Sequence, residues 1–288
     1  MYHLIGSSGF VGKSLKKLLQ ERERNDFIFY SSCDQSGEAV YLDLFDKTTW
    51  GNVNIKKGDK MFILSWKNLP NYDKGFHMTQ NLVSIFEFSC YCADRGVSEI
   101  AVAGTCYEYG LQNGCLSEDA ISCPISCYAV AKDSLRRMLE SYLPTKGVIL
   151  KWFRIFYPYG SNQNPKSLYP SLLESIRRKE STFKCSQGYQ IRDFIHVDDC
   201  SRMMIEILDS SSAAGVINIG SGKPISIRDF LEKQISIHKS DIALELGFYP
   251  IRLDEPLAFW ANVSKYKSCL SCNDKLDYSI VGDDTNLR

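Results

Sequence analysis

A tyrosine and a lysine stand four residues apart in Cys127-Tyr128-Ala129-Val130-Ala131-Lys132. On a helix this spacing puts both side chains on one face, a turn apart. An ammonium beside a phenol favours the phenolate, so the lysine is expected to lower the tyrosine pKa from its ordinary value of about 10. A phenol tuned in this way can pass a proton to or from an alcohol or ketone oxygen. Thr105 offers a further hydroxyl at the end of the apolar run Ser98-Glu99-Ile100-Ala101-Val102-Ala103-Gly104. The same spacing also arises on a half-buried helix face with a snorkelling lysine, so the surrounding elements have to decide between the two.

Those elements start with the apolar run 1–5, which reads as a first strand with no leader before it. Gly6-Ser7-Ser8-Gly9-Phe10-Val11-Gly12 follows, and then a stretch of helical period, Lys13-Ser14-Leu15-Lys16-Lys17-Leu18-Leu19. Strand, glycine turn and helix are the context that a dinucleotide-binding turn requires. Gly6 allows the tight turn, Gly9 lets a pyrophosphate approach the backbone at the helix N-terminus, and Gly12 lets helix pack on strand. A second strand, Phe27-Ile28-Phe29-Tyr30, ends at Ser31-Ser32-Cys33, where an acidic residue would select NAD through the ribose 2′-hydroxyl. Serines tolerate a 2′-phosphate, and no arginine stands beside them, so the lean towards NADPH is slight and the cofactor is read as NADPH or NADH. Further strands are expected at Ala39-Val40-Tyr41-Leu42-Asp43, with Asp43 placed to contact the adenine, at Lys60–Ser65, at Ser98–Gly104 and at Val148–Arg154. A mostly helical stretch is expected over 73–95 and a loop over 110–126. Strands alternating with helices predict a doubly wound parallel α/β sheet of the Rossmann type, with Thr105 at the ligand-facing strand ends.

Composition shifts near residue 156. The expected organisation is a dinucleotide-binding domain over 1–156 and, over 157–288, a smaller substrate lobe that returns some strands and helices to the sheet. The chain has 288 residues, 44% of them hydrophobic, with Lys+Arg and Asp+Glu both at 34. Balanced charge argues against a nucleic-acid surface. No apolar run approaches the length of a membrane span. The 11 cysteines follow no framework spacing and read as reduced thiols of a cytoplasmic protein. Cys269 and Cys272 form one CxxC without the second pair of a four-ligand zinc site, so no metal is expected.

Taken together, the glycine turn, Thr105, the Tyr128/Lys132 pair, Arg154 with Tyr159-Gly160, the stretch Arg192-Asp193-Phe194-Ile195-His196-Val197-Asp198-Asp199 and Asn218-Ile219-Gly220 resemble the extended short-chain dehydrogenase/reductases. This is the family of nucleotide-sugar epimerases, dehydratases and 4-keto reductases. The resemblance implies that Tyr128 is the acid/base, that Lys132 also holds the nicotinamide ribose, and that Thr105 completes the triad. It assigns Phe10, Val11, Ser31 and Leu64 to the cofactor together with the glycines, and Tyr107, Arg192 and Arg252 to a nucleotide-diphosphate sugar. A homodimer is allowed for. The 4,6-dehydratases carry Thr-Asp-Glu where this chain reads Thr105-Cys106-Tyr107, which disfavours elimination of water. Leu64–Tyr72, Gly104–Gly110 and Arg252-Leu253-Asp254-Glu255-Pro256 resemble the branch that reduces dTDP-4-keto-6-deoxyglucose to dTDP-D-fucose in polysaccharide sugar biosynthesis. Ser65-Trp66-Lys67 departs from a place that is usually small and apolar. A 4-epimerase and a non-catalytic dinucleotide-binding regulator are the rival readings.

Overall fold

The computed structural model describes residues 1–34, 37–250 and 255–270. Strands β1 (Tyr2–Ile5), β2 (Phe27–Ser31), β3 (Val40–Tyr41), β4 (Lys60–Ile63) and β5 (Glu99–Thr105) join Ile149–Ile155 and Gly215–Ile219 in one seven-stranded sheet. All of its pairings are parallel. From one edge the order is Gly215–Ile219, Ile149–Ile155, β5, β4, β1, β2, β3. The chain therefore builds outward from β1 to β3, crosses back, and continues from β4 on the other side. The expected doubly wound sheet is present, and its direction reverses between β1 and β4. That is where ligands bind in such sheets, beyond the carboxyl ends of the strands.

Residue type explains the layering. β5 is buried at all seven positions, with the apolar stretch Ile100–Gly104 between Glu99 and Thr105, as suits a parallel strand covered by helices on both faces. Helix α1 (Phe10–Glu21) packs beside the helix Val197–Asp209 on one face, where Leu15, Leu19, Met204 and Ile205 meet Phe62 and Phe153. Helices α2 (Leu82–Ala93) and α3 (Cys127–Tyr142) cover the other face, with Ile85, Phe88, Leu135 and Leu139 against Trp152. β3 is only two residues long and exposed at the edge.

Two stretches differ from the sequence expectation. Within the supposed loop 110–126, Gly114–Leu116 is a strand paired in parallel with Phe259–Ala261. Such a pairing joins segments far apart in the chain, and three residues carry no periodicity of their own. The helix expected from residue 73 begins instead with a π turn at His77–Asn81 that runs into α2. Here the Asn81 side chain bonds the backbone of Lys67 at both N–H and carbonyl. Beyond residue 157, short pairs such as Thr182–Lys184 with Ala243–Glu245 surround a small core of Leu172, Phe183, Leu231 and Ile242.

Gly6 takes a φ of +91°, and a Cβ there would lie 2.8 Å from the backbone nitrogen of Ser65. A Cβ on Gly12 would run into the Gly6 carbonyl and the Ser7 backbone. Both glycines are therefore required by the fold itself. Gly12→Ala is expected to destabilise the protein by about 1–3 kcal/mol through overpacking, lowering the melting temperature by several degrees; calorimetry of the ligand-free variant checks this.

Candidate active site

Tyr128 lies in the first turn of α3, which Ser126 caps by accepting from the Ala129 N–H at 3.2 Å. Tyr128, Ala131, Lys132, Leu135 and Leu139 form the buried face of that helix, so the four-residue spacing does set phenol and ammonium side by side. Lys132 Nζ donates to the Ala103 carbonyl of β5 at 2.6 Å and lies 3.8 Å from the centre of the Trp66 ring. Thr105, at the end of β5, stands beside the Tyr128 phenol and favours its charged form. The three groups expected to do the chemistry thus converge beyond the carboxyl ends of the central strands.

Their electrostatics overturn one expectation. Burial raises the Tyr128 phenol well above its ordinary value, and the neighbouring Thr105 hydroxyl offsets only part of this. Lys132 does not lower it, because burial takes Lys132 itself down to about 7 while the nearby Glu108 charge pulls the other way. The rings of Trp66, Tyr72 and His77 enclose the phenol at 5.5–5.7 Å. In so dry a setting each group leans towards its neutral form.

Glu108 carried no role in the sequence reading and proves central. It is fully buried. One carboxylate oxygen accepts from the Thr105 N–H at 2.9 Å, and both accept from the Trp152 indole at 2.9 and 3.1 Å. The second oxygen also pairs with Arg154 Nε at 2.8 Å. Thr105 Oγ1 in turn accepts from the Tyr107 N–H, closing a reciprocal cap over the short turn Cys106–Tyr109. Burial raises the Glu108 pKa, opposed by Arg154. A glutamate three residues after a Thr is the one local signal that could have revealed this cap.

The glycine turn also separates into parts. Unlike Gly6 and Gly12, Gly9 is exposed, and a Cβ there would touch only the Gly6 carbonyl, at 3.4 Å. Nothing within the protein demands a glycine at this position. The α1 N-terminus just beyond it has no side-chain cap and no acidic residue in its first turn, so the N–H groups of the turn around Phe10 and Val11 form a cradle suited to a phosphate. Those residues fit a dinucleotide pyrophosphate. Leu64 follows β4, its N–H on the Ile5 carbonyl at 2.9 Å. Ser31 Oγ contacts Ser8 Oγ at 2.5 Å and accepts from the Cys33 N–H. The Asp43 carboxylate is held by Lys67 at 2.9 and 3.0 Å.

The substrate candidates fall in three places. Tyr107 stands between Tyr72 and Tyr157, with ring centres at 5.5 and 5.9 Å, so a wall of tyrosine rings leads away from Tyr128. Arg192 lies at the far end, buried, donating to the Tyr157 hydroxyl at 3.0 Å, to the Ile191 carbonyl at 2.9 Å and to Glu255 at 3.0 Å. Arg252 lies outside the described residues, as do Asp254 and the Cys272 half of the CxxC. The other motif residues serve as clasps. Asp193 accepts from the N–H groups of Ser221, Gly222 and Ala261. Asn218 ties Tyr109, Leu116 and Asn262 together.

Residues 3–220 match the NAD dependent epimerase/dehydratase family. The chain belongs to that family. It is 26% identical over 265 residues to dTDP-6-deoxy-L-talose 4-dehydrogenase (NAD(+)) of Aggregatibacter actinomycetemcomitans, covering 89% of this chain and 97% of the relative. It is 25% identical over 247 residues to GDP-6-deoxy-D-talose 4-dehydrogenase of the same organism, covering 83% and 81%. Among solved structures, UDP-glucuronic acid 4-epimerase from Bacillus cereus in complex with NAD shares the fold. The TM-score is 0.78 at 22% identity, over 96% of this chain and 93% of that one. The expected nicotinamide dinucleotide agrees with the family, whose description names NAD. Among the described residues no helix is long and apolar enough to cross a membrane.

Two outcomes are expected. Gly9→Val should remove cofactor binding, read as nicotinamide fluorescence on titration, while the melting temperature stays put, because the branched side chain fills only the cradle. Glu108→Gln turns an amide N–H₂ towards the donors of Trp152 or Arg154 and removes the charge that favours protonated Lys132. Where turnover needs that ammonium, kcat/KM falls as pH rises through about 7, and in Glu108→Gln this fall moves to lower pH. A pH profile of the two proteins measures it.

Proposed function

We propose that this protein reduces the C4 ketone of a nucleotide-linked 4-keto-6-deoxyhexose with a nicotinamide dinucleotide, in the manner of a dTDP-4-dehydro-6-deoxyglucose reductase that forms dTDP-D-fucose. The observation that carries the reading is the pair of hydroxyls, Thr105 and Tyr128, set next to each other beside Lys132. The neighbouring positions are filled by Cys106 and Tyr107, and the one carboxylate of that turn, Glu108, is locked away under Arg154 and Trp152. Such a site can protonate an oxygen but has no carboxyl pair at that turn to eliminate water. The 4-dehydrogenase names of the two relatives, both for 6-deoxy sugars, support the C4 position. The tyrosine wall suits a 6-deoxy carbon better than a charged C6 substituent.

In this reading a bound reduced nicotinamide supplies the hydride to C4. The Tyr128 phenol holds the proton destined for the C4 oxygen, and its raised pKa keeps that proton in place until negative charge develops there. Thr105 Oγ1 hydrogen-bonds the same oxygen. The Lys132 ammonium, when charged, stabilises the phenolate left behind. The Gly9–Gly12 turn holds the pyrophosphate, and Ser31 and Asp43 line the adenosine end. Arg192 is assigned to the sugar diphosphate, which would take over the anion position that Glu255 fills here.

A 4-epimerase is the second reading, favoured by the likeness of fold to a 4-epimerase. The two differ in bookkeeping of the cofactor: a reductase consumes one equivalent per ketone, whereas an epimerase returns it. Incubation with dTDP-4-keto-6-deoxyglucose and each reduced cofactor, followed by identification of the sugar, decides between them. Tyr128→Phe keeps the ring and loses the transferable proton. Turnover should fall by about a hundredfold or more with cofactor affinity largely kept, and near-normal turnover would refute the assignment.

A further inference from the structure

Trp66 and His77 have no part in the mechanism above, yet Trp66 sits against both members of the proposed pair and His77 against Tyr128. The indole ring centre is 3.8 Å from Lys132 Nζ, and the ring meets the Tyr128 ring edge-on at 5.7 Å. Its N–H points away from the pair, to His77 Nδ1 at 3.0 Å. An indole nitrogen can only donate, so Nδ1 accepts and the imidazole proton sits on Nε2. Nε2 in turn lies 2.9 Å from the Asn71 carbonyl. His77 is fully buried, and Asn81 Nδ2 approaches the same Nδ1 at 3.2 Å. The neutral imidazole is fixed on both sides, and it fixes the plane of the indole.

Lys132 has little else to hold it. Its bond to the Ala103 carbonyl engages one of three N–H groups, and the side chain is only 3% exposed. Water contributes little to its solvation at that exposure. A desolvated ammonium gains most from an aromatic face, and from indole above other rings. The loop after β4 places that face where the solvating water would otherwise be.

We propose that Trp66 is a positioning residue for Lys132: its indole face, aimed by His77, holds the buried ammonium between the Ala103 carbonyl and Tyr128. The inference rests on the reading of Tyr128 and Lys132 as the working pair, but concerns a group outside it. The titratable and charged groups around Lys132 are few. Tyr128 lies on its own helix, Glu108 on the turn after β5, and His77 behind the indole, while Lys67 of the Trp66 loop turns away to Asp43. Glu108 favours the ammonium electrostatically and Trp66 does so by contact.

The test separates an aromatic face from mere cover. Trp66→Phe keeps a π face and Trp66→Leu keeps apolar bulk without one. Ligand-free protein carrying ¹³C-labelled lysine is titrated, and the Lys132 signal is assigned by its disappearance in Lys132→Met. The Lys132 midpoint is expected to drop by about one pH unit in Trp66→Leu, a tenfold change in the protonation equilibrium, and to drop by clearly less in Trp66→Phe, which keeps a π face but loses the bond to His77. His77→Leu, which frees the indole, should give a smaller drop in the same direction. The fall of kcat/KM with rising pH should move with these midpoints and return in part in Trp66→Phe. If Trp66→Leu titrates with the wild type or above it, or if Phe and Leu behave alike, the indole is cover only and the proposal fails. Failure of the wild type to reduce any 4-keto sugar would instead overturn the reductase reading, with the ligand-free titration still deciding the role of Trp66.

Discussion

Glu108 shows how a buried charge can organise a site. A carboxylate taken out of water is strongly unfavourable unless its oxygens are filled by donors in good geometry. Here they are filled from three directions: the Thr105 backbone, the Trp152 indole and the Arg154 guanidinium. Because Thr105 ends β5 while Trp152 and Arg154 lie on the neighbouring strand Ile149–Ile155, the carboxylate ties the ends of two central strands to the turn after β5. Moving Thr105 would break a bond to a buried charge, so its hydroxyl is held where the Tyr128 phenol meets it. A Cβ added at Gly104 would lie 2.7 Å from the Glu108 oxygen, so the glycine before Thr105 is part of the same packing.

The legible parts of this molecule are those written locally. A glycine turn after an apolar run, a Tyr and a Lys on one helix face, and alternating strands and helices all have short-range signatures, and they gave the sheet and the convergence of Thr105, Tyr128 and Lys132. The spacing predicts a lowered Tyr128 pKa whereas burial raises it, because pairwise spacing carries no information about burial. The aromatic ring cage comes from the β4 loop and the π turn at His77, more than forty residues earlier in the chain. The clasp role of Asp193 was equally hidden, since its partners Ser221, Gly222 and Ala261 lie on other segments. Trp66 stood out in the sequence only as a departure from small residues, and its meaning required the position of the Lys132 ammonium.

Two buried lysines show why one is structural and the other available. Lys151, on Ile149–Ile155, donates to the carbonyls of Ile207, Leu208 and Ser210 and pairs with Glu99 at 2.9 Å. Three carbonyls at the end of the helix Val197–Asp209 and a carboxylate use up its donors, as suits a cation at a helix C-terminus. Burial lowers its pKa, opposed by Glu99, and it serves to hold helix to sheet. Lys132 lies at the opposite end of the sheet with one carbonyl and one ring face. A ring face attracts an ammonium without accepting a full hydrogen bond, so N–H groups remain for a ligand's hydroxyls. The same residue type, equally buried, is thus saturated at one end of the sheet and left with spare N–H groups at the other, beside Tyr128. That difference, more than the Tyr-x-x-x-Lys spacing, is what recommends Lys132 as the lysine of the proposed reduction.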